Sequence, residues 1–228
     1  MAYFYYGLLS KIFIMAYFLS KKFFLDLIFP IVCLGCGREG KYLCVDCFKK
    51  LKFCVKNYSF NLEQVAEVVI AGDYEDELLA SLIKNLKFKS IKEIAKILAD
   101  FLSLFWQGRA LNVISPLLIP LPLSKSRERW RGFNQTELIA QEFALNFNYE
   151  INHGLKKIKH TRPQSGLREE KRFKNIRGAF VYEGETLFDR TIILLDDVIT
   201  TGATINEAAK VLQAAGAKKI IALAIAKG

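Results

Sequence analysis

The hydrophobic pattern changes period several times along the chain. EVVIAGDY (67–74) has a run of apolar positions ending on Gly72 and is predicted as a strand. DELLASLIKNLKF (76–88) and SIKEIAKILADFLSLF (90–105) space their apolar residues by three and four, the spacing of amphipathic helices. Ser90 with Glu93 matches a capping box. NVISPLLIPLPL (112–123) is strand-like, with prolines that place its end in an extended or edge position. NQTELIAQEFALNF (134–147) is another amphipathic helix. TIILLDD (191–197) reads as a buried strand, 204–215 as a helix, and KIIALAIA (219–226) as a closing strand. The stretches SKSRERWRGFNQ and 154–178 are basic, lack a period and are predicted as loops. Strands alternating with helices predict an α/β fold, a mostly parallel sheet with flanking helices. No internal repeat of domain size is present.

Length and composition fit one sizeable α/β domain with a small module beside it: 228 residues, 52% hydrophobic. That apolar content argues against extended disorder. A formal net charge of +10 favours an anionic partner, with phosphate ligands, nucleic acid and anionic lipid all allowed. The excess is concentrated, because residues 120–178 carry 13 basic residues against 6 acidic ones.

Four of the five cysteines fall between Cys33 and Cys47. Cys33-x2-Cys36 and Cys44-x2-Cys47 are two knuckles, each able to present two thiolates to Zn²⁺. Four such ligands leave no open position, so the expected zinc is structural, in a module of residues 27–57. Gly35 and Gly37 are expected to let the chain turn around the metal. Cys54 has no partner spacing and reads as a small buried hydrophobe.

Residues 1–26 form an apolar, tyrosine-rich segment punctuated by Lys11, Lys21 and Lys22. No uncharged run in it reaches the roughly 18 residues of a membrane span, and no small-residue cleavage site is evident. It suits peripheral membrane contact through residues 1–24, a helix packed on the protein, or a tail. MAYF occurs at Met1 and again at Met15, which makes Met15 an alternative start.

The chemistry concentrates where the strand TIILLDD ends. Ligands of open α/β sheets bind outside the carboxyl ends of the strands, and Asp196 and Asp197 sit at such an end. Adjacent carboxylates repel, so a partner is expected; a sugar diol and a magnesium ion both suit. Thr200, Thr201 and Thr204 supply hydroxyls, Gly202 permits close approach of an anion, and a helix N-terminus follows. Thr204 with Glu207 matches a capping box that fixes this N-terminus, and Gly216 is placed to end the helix. A ribose 5-phosphate fits such a pair of sites. The segment has no Walker order and no lysine.

IILLDDVITTGAT resembles the signature of type I phosphoribosyltransferases, which bind 5-phosphoribosyl 1-diphosphate (PRPP) with Mg²⁺. The resemblance implies that Asp196 and Asp197 hold the ribose hydroxyls. It implies that Thr200, Thr201, Gly202, Ala203 and Thr204 wrap the 5-phosphate. Threonine at 200 departs from the aspartate of some purine enzymes but matches the orotate enzymes. From about Leu27 the chain is similar to the ComF (ComFC/GntX-like) family. The similarity is carried by LIFPIVCLGCG with CVDC, YEDELLASLIKNLKFK, PLPLSKSRERWRGFNQTELIA, LKKIKHTRPQSGLREEKRFKNIRGAF and the acidic signature.

That similarity implies a type I phosphoribosyltransferase-like domain, residues 65–228, behind an N-terminal zinc finger. It also implies a role in DNA uptake during natural transformation, alongside other competence proteins and in the cytoplasm, with the inner face of the membrane as a further site. Lys125, Arg127, Arg129 and Arg131, with Lys157, Lys159 and Arg172, are candidates to bind the diphosphate or a nucleic-acid backbone. Lys157, Lys159, Thr161, Gln164, Arg172 and Asn175 fall where the fold carries a hood over its site. Trp130 and Phe173 are candidates to stack on bases, whereas Phe133 reads as a packing residue. His153 and His160 read as surface residues. Two functions follow as expectations: a transferase whose acceptor the residues do not name, and a single-stranded-DNA-handling protein whose PRPP pocket is regulatory.

Overall fold

The computed structural model describes residues 30–56, 58–109, 113–159 and 176–228. It contains two compact units, Met1–Lys50 and Leu51–Gly228. Among its described residues the first holds one short helix, α1 (Val45–Phe48).

In the second unit, β1 (Glu67–Asp73), β2 (Leu117–Pro120), β3 (Glu150–Ile151), β6 (Thr191–Ile199) and β7 (Lys219–Lys227) form one sheet in the order β1-β7-β6-β2-β3. Every pairing in it is parallel. The strands β4 (Leu155–Lys157) and β5 (Phe180–Tyr182) form a separate antiparallel pair. The uninterrupted apolar runs of β6 and β7 have one cause: both are interior strands with helices over both faces. The closing strand of the chain, β7, lies between β1 and β6.

On one face, α3 (Ile94–Gly108) packs on β1 and β7, and α5 (Gln135–Phe147) packs on β2 and β6. Beside α3 lies α2 (Glu77–Lys89). On the other face, α6 (Ala203–Ala214) packs on β5, β6 and β7. Side chains alternate along a strand, so neighbours in β6 serve different layers. Ile192 and Leu194 join Leu155, Phe180, Ala208 and Leu212 in the core under α6. Continuing the alternation, Asp196 lies on that side and Asp197 on the side of α2.

The helix ends follow side-chain chemistry. Asp76 Oδ1 accepts from the Leu78 and Leu79 amides, each at 3.0 Å, and caps α2. Asn134 caps α5 through the Thr136 amide and also donates to the Leu121 carbonyl, tying that helix to the end of β2. The expected Ser90–Glu93 capping box does not form. Ser90 is the left-handed C-cap of α2 (φ 56°), and α3 begins only at Ile94.

SKSRERWRGFNQ is not a loop: Lys125–Arg131 is helical, α4, and Gly132 ends it at φ 81°. The positive charges of α4 consequently divide. At 100° per residue, Arg127 and Arg131 share one face, and Lys125 and Arg129 the opposite one. Residues 154–178, expected as loop, supply β4 before the undescribed stretch.

Candidate functional site

The acidic pair ends β6 beside the point where β2 delivers its chain to α4. The Leu121 amide donates to the Leu195 carbonyl at 2.9 Å, which locks the two strand ends together. Asp197 is buried, and its own amide donates to Asp196 Oδ1 at 2.8 Å. Asp197 Oδ2 lies 2.8 Å from Lys87 Nζ, an ion pair without the alignment of a hydrogen bond. One oxygen of each carboxylate remains that neither this amide nor Lys87 engages. Two such neighbouring oxygens suit the two hydroxyls of a diol.

Lys87 was not foreseen from the sequence. It stands four residues after the buried Ile83, on the apolar stripe of α2, and its side chain is only 18% exposed. A lysine on such a stripe is rarely buried without an anionic partner, and that was the available signal.

The electrostatics gather further residues around the pair. Burial, then the charge of Asp197, pushes the Asp196 carboxyl up to about 8, with Lys87 opposing. Burial and the nearby Arg127 bring the Lys157 ammonium down to about 8, against the attraction of Asp196. Burial also lowers Arg131, while Asp197 favours its charge and Arg127 opposes it. Arg131 is held by Gln135, to whose side-chain oxygen it donates, and its guanidinium lies over the Phe88 ring at 5.7 Å. Lys87 from α2 thus pairs with Asp197, the acids favour the charges of Arg131 from α4 and Lys157 from β4, and Arg127 adds positive charge that acts on Arg131 and Lys157.

The other basic candidates are not gathered there. Lys125 and Arg129 are exposed on the outer face of α4, and Lys159 donates to the Arg177 carbonyl at 2.9 Å. Arg172 lies outside the described residues, as do His160, Thr161, Gln164, Phe173, Asn175 and the apolar segment 1–24. Among the described residues, no helix is long and apolar enough to cross a membrane.

The loop after β6 runs Thr200, Thr201, Gly202, with Ala203 and Thr204 opening α6. Gly202 is the N-cap at φ 78° and offers no side chain to the helix N-terminus; Thr201 Oγ1 accepts the Ala203 amide at 3.4 Å. A Cβ at Gly202 would stand 2.9 Å from Leu62 Cδ2. Glycine is required by its positive φ, since the Leu62 methyl can shift to admit a Cβ. The expected Thr204–Glu207 capping box does not mark the helix start: Gly202 is the N-cap, and Glu207 accepts the Gly178 amide at 2.6 Å. Gly216, at φ 102°, follows α6 as expected.

In the small unit, the Sγ atoms of Cys33, Cys36, Cys44 and Cys47 all lie within 4.8 Å of one another. Cys36 and Cys44 Sγ are 3.7 Å apart, near the edge of a tetrahedron built on Zn–S bonds of about 2.3 Å. Glycines at positive φ, Gly37 and Gly40, shape the first knuckle; Gly35 is not among them. Burial pushes the Cys33 thiol up, but amides of Cys44, Gly35 and Cys36 outweigh it and bring it down to about 6. Burial and the neighbouring thiols push Cys47 up to about 12. Four clustered thiols of which one ionises readily and another resists are a donor set that a divalent cation completes, and Zn²⁺ fits. Mg²⁺, as a hard cation, suits a ligand's own phosphates, whereas the acidic pair already carries the Lys87 ammonium on Asp197.

A phosphoribosyl transferase domain matches residues 139–228. Competence protein F of Haemophilus influenzae is 33% identical over 201 residues, 83% of this chain and 87% of that protein. The DNA utilization protein YhgH of Escherichia coli O6:H1 is 32% identical over 197 residues, 83% and 86% of the two chains. The competence protein ComFC of Bacillus subtilis is 29% identical over 188 residues, 79% and 71% of the two. With its parallel sheet, its acidic strand end and its cysteine cluster, the chain belongs to the competence protein F (ComF) family and carries that family's phosphoribosyltransferase-like domain.

Proposed function

We propose that the acidic end of β6, with the loop that follows it, binds PRPP as part of a competence-system function. The observation that carries this is the adjacent pair Asp196 and Asp197 at the end of β6, with Lys87 on Asp197 and the charges of Arg131 and Lys157 favoured by the acids. A ligand matching that arrangement has a diol beside dense negative charge. The acids take the ribose hydroxyls, and Thr200, Thr201, Gly202, Ala203 and Thr204 take the 5-phosphate at the start of α6. Arg127, Arg131 and Lys157 face the diphosphate, where their charge would offset the charge released if C1 were transferred to an acceptor. Bound Mg²⁺ supplies additional neutralisation of the diphosphate.

The test separates the two ends of the ligand. Calorimetric titration of Arg127→Ala/Arg131→Ala should show PRPP affinity lowered about 10- to 100-fold, the loss of one or two charge-assisted hydrogen bonds. Ribose 5-phosphate affinity should change by less than about threefold, because it lacks the diphosphate. An equal loss for both ligands, or none for either, would contradict the assignment.

A second reading has its own support on the outer face of α4. Lys125 and Arg129 are exposed there, and Trp130 is 72% exposed. Phe88, 63% exposed, carries a second ring on the other face of α4, beneath Arg131. Exposed rings among cations suit single-stranded DNA, and two relatives carry names of competence and DNA utilization. Lys125→Ala/Arg129→Ala/Trp130→Ala should bind an oligonucleotide about tenfold more weakly and with a shallower salt dependence than wild type, with PRPP affinity retained. Wild-type affinity that does not fall as salt rises would remove this reading.

A further inference from the structure

Lys87 takes no group of the ligand in the PRPP reading, and its surroundings give it a role of its own. Its ammonium reaches Asp197 Oδ2 from the last turn of α2, where the helix dipole also favours positive charge. The Asp197 side chain is 6% exposed. A carboxylate so far from water needs a fixed counter-charge, and Lys87 provides it before any ligand arrives. With the Asp197 amide on Asp196 Oδ1 and Lys87 on Asp197 Oδ2, each acid has one oxygen held inside the protein. A divalent cation entering this pair alone would meet the Lys87 ammonium already on Asp197, with the charges of Arg131 and Lys157 also drawn to the acids. That balance disfavours a metal held by the protein itself. Mg²⁺ in such sites keeps much of its water and is carried largely by substrate phosphates.

We infer that Lys87 is a built-in counter-ion, so that the sugar–phosphate end of the ligand is recognised without a divalent cation. The cation is required only at the diphosphate end. Lys87 is a positioning residue: it holds Asp197 as a charged acceptor for a ribose hydroxyl. This inference rests on the PRPP reading of the pocket.

The experiment titrates ribose 5-phosphate and PRPP separately into the full-length wild type, Lys87→Gln and Lys87→Arg, each in EDTA and in Mg²⁺. Wild type should bind ribose 5-phosphate equally in both buffers, within about twofold, while PRPP binds more tightly with Mg²⁺. Lys87→Gln should lose about tenfold in ribose 5-phosphate affinity in EDTA, and Lys87→Arg less, because it keeps the charge. Ribose 5-phosphate affinity that depends on Mg²⁺ in wild type as steeply as that of PRPP overturns the inference. So does a folded Lys87→Gln that binds ribose 5-phosphate like wild type in EDTA. The wild-type comparison needs no variant, so a Lys87→Gln that failed to fold would leave that arm decisive. Failure of wild type to bind either ligand in either buffer would overturn the PRPP reading itself, a result distinct from both.

Discussion

Chelation is expected to unfold residues 30–50 while the larger unit stays folded. The described residues of the small unit bury only Cys33, Leu43, Cys44 and Cys47, and α1 is four residues long. A segment with so little apolar burial cannot offset its conformational entropy unaided. Its backbone hydrogen bonds, such as Leu34 to Tyr42 and Gly40 to Ile31, gather the chain around the thiols without replacing that missing core. Binding of structural Zn²⁺ to zinc-finger peptides supplies about 10–16 kcal/mol, which here would be nearly the whole folding free energy of the module. Thiol titration reads the outcome. Cys33, Cys36, Cys44 and Cys47 should be protected in the metal-loaded protein and react together once metal is stripped. The main thermal transition, belonging to the sheet unit, should persist. Equal thiol reactivity with and without chelator would show that no metal organises the cluster.

Asp196→Asn is expected to stabilise the ligand-free protein at pH 8 while removing its affinity for PRPP. The sign follows from proton binding. Asp196 ionises near pH 8 in the folded chain, against an ordinary value of 3.8. Between those values the folded state holds a proton that the unfolded state has released. This group's contribution is therefore fully present below about pH 4 and is lost as pH rises through about 8. Asparagine keeps the shape and removes the charge beside Asp197. The gain at pH 8 should be on the order of 1–4 kcal/mol, or several degrees in Tm, and should vanish near pH 4. Such opposition between stability and binding is what a site built to receive a ligand predicts. A variant less stable than wild type at pH 8 would mean that Asp196 is a structural anchor.

The sheet was legible because β6 and β7 are buried on both faces and so read as unbroken apolar runs. The amphipathic helices α2 and α5 were legible from their stripes. The acidic pair and the cysteine knuckles were legible because each puts costly chemistry at one place in the chain. The helix α4 was not, since it buries no residue and therefore shows no apolar period. Nor were β4 and β5, three residues each, whose pairing depends on a partner more than twenty residues away. Neither expected capping box marks a helix start, because a side-chain pattern cannot show what else competes for it. Ser90 was needed to end α2, and Glu207 was drawn to Gly178. Lys87 is separated from Asp197 by more than a hundred residues, and only the fold brings them together.

The most direct test of the central claim is calorimetric titration of PRPP with Mg²⁺ into the wild type and Asp196→Asn at one pH. A PRPP pocket predicts saturable one-to-one binding to wild type and loss of at least about tenfold in affinity for the variant, the worth of a charge-assisted hydrogen bond. No binding to wild type, or undiminished binding to a folded Asp196→Asn, would contradict it.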